Sequence, residues 1–216
     1  MSKPLELPSA KQFEEFVRAI EGNGSGKLRH CADLVRFLAL GGFRKSEAAY
    51  VTWGDCNFEK NQITVRGHPE TGLKNRRPGE FRILPMLPEM KELLDRLRRE
   101  RPEEGPTEPV MRVRECQKSM DRAAKEVAMP RISHHDLRHL FATKCIEEGV
   151  DIPTVSRWLG HRDNGVLAMR IYGHLRDHHS AAMAQKVRFF TPTSSQGPVQ
   201  GEATENGHGE NSNPNN

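Results

Sequence analysis

The stretch "SHHDLRHLFATKCIEEGV", Ser133 to Val150, begins with a serine and an aspartate three residues apart. That is the spacing with which a helix caps its own first turn, so a helix is predicted over 134–148. His135 and Arg138, also three apart, then leave the chain from one face of the opening turns. A shorter helix is predicted over 153–159, and Gly160 stops it just before His161. Tyr172, one of two tyrosines in the chain, follows eleven residues further on.

Working outward, the chain upstream changes its period twice. Ser9 and Gln12 again have cap spacing, and Phe13, Phe16, Val17 and Ile20 recur at helical intervals up to Gly22. Leu28 to Leu40 is apolar on most sides, as a central buried helix would be, and stops at Gly41-Gly42. Arg44 lies directly beyond that stop. Then come β-leaning pieces: "AYVTW", "QITV" and "FRILP", with turn chemistry in "GDCNFEKN" and a long loop from Gly67 to Gly79. They predict a small antiparallel sheet whose hairpin loop carries Lys74, Arg76 and Arg77. Pro88 opens a helix with Met90, Leu93, Leu94 and Leu97 on its inner stripe, and its arginines Arg96, Arg98, Arg99 and Arg101 read as a solvated face. After "RPEEGPTEP" the pattern is helical, near 114–128, 134–148, 153–159, 165–172 and 177–188. The fold class is therefore α+β, mostly helical with a small antiparallel sheet, in one compact domain.

Composition narrows the partners. The 33 Lys+Arg against 29 Asp+Glu give +4, which becomes +7 for residues 1–190 once the three glutamates of the Lys- and Arg-free segment 191–216 are set aside. A polyanionic partner fits that balance. The segment 191–216 is too poor in apolar residues to repay ordering and is expected to be disordered. Four scattered cysteines without a C-x-x-C pair suggest neither a zinc cage nor a disulfide framework; buried reduced thiols are expected. No apolar run has the length of a membrane span and the N-terminus lacks the basic-then-apolar layout of a signal peptide, so a cytoplasmic, nucleoid-associated protein is expected.

Taken singly, the polar residues have ordinary explanations. His135 and His139 are four apart like a zinc pair, but the glutamate of H-E-x-x-H is missing, because Asp136 and Leu137 follow His135. Trp53, Phe58, Trp158 and Leu159 read as core packing. Arg44 could serve as a helix-end cation, and Lys60, Arg76 and Arg77 are basic neighbours of Lys74. Taken together, "GFRKSE", "HHDLRH", "LGH" and "IYGHL", in that order, resemble the catalytic domain of tyrosine recombinases, the phage-integrase family of DNA-breaking and DNA-joining enzymes. The resemblance covers about Ser9 to Lys186.

The resemblance implies that Arg44 is the first catalytic arginine with Glu47 as its acidic support, and that Lys74 is the hairpin-loop lysine. It implies likewise that His135 and Arg138 are the H-x-x-R pair, His161 the histidine of the L-G-H turn, and Tyr172 the nucleophile. The chemistry suits these types. A phenol with a pKa near roughly 10 is a poor nucleophile at neutral pH, and surrounding cations favour its phenolate. A histidine or the phosphate itself can take its proton. Forked guanidinium donors match the non-bridging oxygens of a phosphodiester, and a lysine can protonate the departing 5′ oxygen. The scheme calls for no metal, no cofactor and no ATP.

Two departures from the family pattern stand out. The interval from His161 to Tyr172 is longer than in familiar members, with Gly165 in the insertion. The family's N-terminal core-binding domain is also expected to be missing, leaving a catalytic domain over 1–190 with the tail behind it. The sequence leaves an excised domain, a remnant of a mobile element and a naturally minimal member equally open. The expected partner is double-stranded DNA, gripped by Arg76 and Arg77 among others, with a homotetramer on DNA formed through the C-terminal segment "SAAMAQKVRFF", where Ala182, Met183, Val187 and Phe190 are apolar. The alternative is an inactive or truncated remnant that acts only as a DNA-binding module. A metal-dependent nuclease lacks the carboxylate cluster it would need.

Overall fold

The computed structural model describes residues 7–22, 24–74, 77 and 79–161. The helices expected near 165–172 and 177–188 and the tail over 191–216 lie outside these residues. Helix α1 spans Ala10–Glu21, and both halves of its expected capping box are present between Ser9 and Gln12. Helix α2, Gly26–Gly41, is the spine of the molecule. Its Leu34, Val35, Phe37 and Leu38 are sealed from solvent, and α1, α4 (Pro88–Glu100) and α6 (His134–Glu147) pack around it. Helix α5, Gln117–Glu126, closes over α1.

The three strands β1 (Cys56–Asn57), β2 (Gln62–Val65) and β3 (Arg82–Pro85) form one antiparallel sheet in sequence order. Ile63, Val65 and Leu84 face inward, as the period-two alternation requires. Helix α7, Ile152–Leu159, lies against β3. This agrees with a mostly helical α+β fold carrying a small sheet.

Two expectations need correction. "AYVTW" is not a strand: helix α3, Lys45–Ala48, runs into a turn at 49–50, and only Thr52 pairs, with Pro109. The side chain of Asp55 is the local reason. Its Oδ2 accepts from the Thr52 N–H at 3.1 Å and the Thr52 hydroxyl at 3.0 Å, which starts a 3-10 turn over Trp53–Asp55. Val51 and Trp53 are apolar for core packing, a signal that period counting cannot separate from a strand.

The arginines of α4 are also more than a solvated face. Arg96 pairs with buried Asp33, while Arg98 and Arg101 flank the Trp53 ring at 5.3 and 5.7 Å from its centroid. Arg98 donates to Glu104 O and Arg101 to Val110 O, so these side chains satisfy carbonyls of the loop that follows α4. Planar guanidinium groups can stack and donate at once, which is why the face is used this way. Of the four, only Arg99 is exposed; the others are half-buried.

All four cysteines are free and buried, and burial pushes the Cys56 and Cys145 thiols up to about 12.

The stop after α2 matters most for the site. Gly42 ends the helix in the left-handed region, φ 58°, and a Cβ there would lie 2.5 Å from the Phe141 ring and 2.8 Å from Leu159. Gly42→Ala is accordingly expected to cost about 3 kcal/mol, combining left-handed strain with overpacking. Urea denaturation checks it, and an unchanged midpoint would show that the α2 end can relax.

Candidate active site

The site grows from three chain turns that α6 holds together. Ser133 caps α6: its hydroxyl accepts from the Asp136 N–H, and Asp136 Oδ2 accepts from the Ser133 N–H at 2.7 Å. That fixed start places His135 on the exposed side of the first turn and Arg138 inward, 4% exposed. Arg138 Nη1 donates to Gly42 O and Nη2 to Leu159 O, both at 2.7 Å. One guanidinium thereby anchors the residue two before Arg44 and the residue two before His161.

Arg44 caps α3 and is half-buried. Glu47, 2% exposed, accepts from the Arg44 N–H at 2.9 Å and from Arg44 Nη1 at 2.6 Å. Its other load comes from Arg82, whose Nη2 donates to Glu47 Oε2 at 2.7 Å while Nε donates to Trp158 O at 2.8 Å. Burial alone pushes the Glu47 carboxyl up, but the hydrogen bond and charge of Arg82, followed by Arg44, outweigh it and bring it down to about 2. Glu47 therefore stays ionised and holds two arginines at fixed directions.

Arg82 was not singled out in the sequence. A signal existed: in "FRILP" it has the same phase as inward Leu84, a charge on the buried face of a strand, and such a charge needs a buried partner.

His161 follows left-handed Gly160, and its N–H donates to Ser156 O at 3.0 Å, which settles where the turn after α7 delivers it. The His135 ring meets that of His139 edge-on at 4.7 Å. Partial desolvation, then the charges of Arg138 and Arg44, hold the His135 imidazole below its ordinary value. It is thus neutral, and able to accept a proton, at neutral pH. Among the described residues no group of three or more His, Cys, Asp or Glu is arranged to hold a metal ion.

Glu47 pairs with Arg44, the charges of Arg138 and Arg44 act on His135, and Arg138 ties the turns that carry Arg44 and His161 to α6, so these five residues lie on three adjoining pieces of chain: α3, α6 and the turn after α7. Lys74 sits exposed on the hairpin between β2 and β3, and no hydrogen bond or ion pair joins it to that cluster among the described residues. Arg77 is exposed on the same hairpin. Arg76 and Tyr172 lie outside the described residues.

The sequence model of the phage integrase family matches residues 9–179. The chain belongs to that family. Tyrosine recombinase XerA of Pyrococcus furiosus is 32% identical over 168 residues, covering 73% of this chain and 55% of that protein. XerA of Saccharolobus solfataricus is 30% identical over 142 residues, covering 66% and 45%. The chain spans about half the length of these curated relatives. Among solved structures it is similar to the Tn1549 transposon integrase in complex with transposon right end DNA, with a TM-score of 0.65 at 20% identity over 86% of this chain and 67% of that one. It is also similar to the catalytic domain of bacteriophage HP1 integrase, with a TM-score of 0.58 at 18% identity over 83% and 94%. At these identities the likeness shows the fold. Within this fold the helices hold Arg44 and Arg138, and the β2–β3 hairpin carries Lys74.

Proposed function

We propose that this chain is a site-specific DNA recombinase that cuts and rejoins strands through a 3′-phosphotyrosine. In this reading the Tyr172 phenol oxygen attacks the scissile phosphorus, the bond to the 5′ oxygen breaks, and that oxygen leaves with a proton from Lys74. His135 accepts the phenol proton. Arg44 and Arg138 bind the non-bridging oxygens, where negative charge gathers in the five-coordinate transition state, and His161 donates a hydrogen bond to the same phosphate. Attack by a 5′ hydroxyl of another strand reverses the chemistry and reseals the DNA. The phosphotyrosine conserves the energy of the broken bond, so no ATP is consumed.

The observation that carries this reading is the double anchoring of Arg138. Its two bonds to Gly42 O and Leu159 O tie the arginine turn and the L-G-H turn to the H-x-x-R helix. Preorganised donors of this kind act without reorganising when charge develops.

Residues 1–190 form the catalytic unit in this proposal, and the partner is double-stranded DNA in the cytoplasm, associated with the nucleoid. Arg76 and Arg77, which follow Lys74 in the sequence, add contacts to the DNA backbone in this reading. Four protomers assemble on two sites through residues 180–190. No helix among the described residues is long and apolar enough to cross a membrane.

A nicked duplex carrying the target site, which traps the cut strand by letting the short 5′ fragment diffuse away, tests the proposal. The expected result is a covalent protein–DNA adduct that maps to the Tyr172 peptide, forms without added metal, and is absent from Tyr172→Phe. Sizing the adduct on two-site DNA reads the number of chains. DNA binding with no adduct under any condition would instead favour a module that only binds.

A further inference from the structure

The other tyrosine, Tyr50, lies where the arginine frame meets the lysine hairpin. Its N–H donates to Glu47 O at 3.1 Å, so its backbone is tied to the residue that Arg44 and Arg82 share. The Arg114 guanidinium covers its ring at 5.3 Å from the centroid. The same ring meets that of His68 edge-on, 4.8 Å between centroids at 72°.

His68 in turn closes the root of the hairpin loop. Its N–H donates to Gly72 O at 3.1 Å and its carbonyl accepts from the Gly72 N–H at 2.7 Å. Its Nδ1 accepts from the N–H groups of Glu70 at 3.1 Å and Thr71 at 3.4 Å. Gly67 permits the tight return: its φ is +79°, and a Cβ there would lie 2.5 Å from Gly72 O. Leu73, 3% exposed, is inserted beneath the loop, and Lys74 follows it into solvent.

We infer that Tyr50 and His68 are positioning residues for Lys74, registering the hairpin lysine on the frame that fixes the two arginines. The inference rests on the reading of Lys74 as the acid for the leaving oxygen. A lysine on a four-carbon stem in a long loop has many places to be, while a general acid must come within roughly 3 Å of the atom it protonates. Displacement by about 1 Å can cost about a hundredfold in rate. His68 removes that freedom by satisfying the backbone N–H groups of Glu70 and Thr71, and Tyr50 transmits the position of the Glu47 turn to it.

Single-turnover cleavage by His68→Ala and Tyr50→Ala, on ordinary DNA and on DNA with sulfur in place of the 5′ bridging oxygen, tests this. Sulfur leaves without a proton, so a defect acting through the acid disappears on that substrate. The expected result is a slowing of about 10- to 100-fold on ordinary DNA and less than about threefold on the sulfur substrate. His68→Asn, whose side-chain oxygen can accept the N–H two residues on, and Tyr50→Phe, which keeps the ring, should stay within about threefold of the unaltered protein. Equal slowing on both substrates would overturn the inference, because a merely structural defect makes no distinction between leaving atoms. Unchanged rates for both alanine variants would also overturn it. Two controls separate its failure from that of the parent reading: no adduct with unaltered protein sinks the recombinase, and Lys74→Ala unrescued by sulfur sinks the acid, either one removing the inference as well.

Discussion

Arg138→Lys is expected to lower the single-turnover rate of strand cleavage by about 10² to 10³, the loss typical of removing one preorganised donor to a developing oxyanion. Charge is conserved in this variant, so net attraction to DNA is little altered and the effect falls on the bound complex. The reason is geometric. Five N–H donors on a planar fork allow a guanidinium to hold Gly42 O and Leu159 O at 2.7 Å and also to address a phosphate. An ammonium has three donors on one atom, so it cannot span two carbonyls on separate turns while also reaching a ligand. Stability should fall with the rate, by about 2 kcal/mol, because a buried carbonyl is left without its donor. Cleavage kinetics at saturating DNA, paired with urea denaturation, check both halves. A variant that keeps its rate would remove Arg138 from the phosphate clamp.

The second large effect belongs to Glu47. Glu47→Gln removes the charge between Arg44 and Arg82 and leaves the Arg82 guanidinium, 6% exposed, without a counter-ion. Breaking a buried pair from one side costs about 3–5 kcal/mol, so a melting temperature lower by about 10 °C is expected. The pH dependence follows from the carboxyl being held down at about 2 in the folded chain. The unfolded carboxyl titrates near the ordinary value of 4.5, so the folded state binds its proton later than the unfolded one does. The stabilisation, about 3 kcal/mol at about 1.4 kcal/mol per unit, is fully present above pH 4.5 and is lost as pH falls towards 2. The difference between the unaltered protein and Glu47→Gln should accordingly shrink across that window. Urea denaturation at several pH values reads it directly, and a constant difference would mean that Glu47 is not the group titrating.

Much of this architecture is legible without coordinates. The caps at Ser9 and Ser133, the stripe on α4 and the stop at Gly41-Gly42 are local signals, and the elements they mark form within a few residues of where they are expected. Local signals fail where one residue type serves two purposes. "AYVTW" has strand-like composition because Val51 and Trp53 fill the core, while the Asp55 side chain bends the backbone. The α4 arginines stand among acids like a solvated face, yet the remote Trp53 ring and the carbonyls of the loop that follows the helix recruit them. Arg82 had a phase signal but no visible partner, since Glu47 lies 35 positions away.

The order of residues along the chain by itself determined the helical α+β class, the positions of the caps and stops, and the set of residue types, arginine, H-x-x-R and L-G-H, whose spacing marks the family. Only the tertiary structure decided that Arg138 ties two turns together, that Glu47 serves two arginines, and that Tyr50 reaches the hairpin through His68. Capping and periodicity are interactions over three or four residues, so sequence spacing records them. A buried charge chooses its partner by which elements pack beside it, and that choice exists only once apolar burial has brought distant turns together.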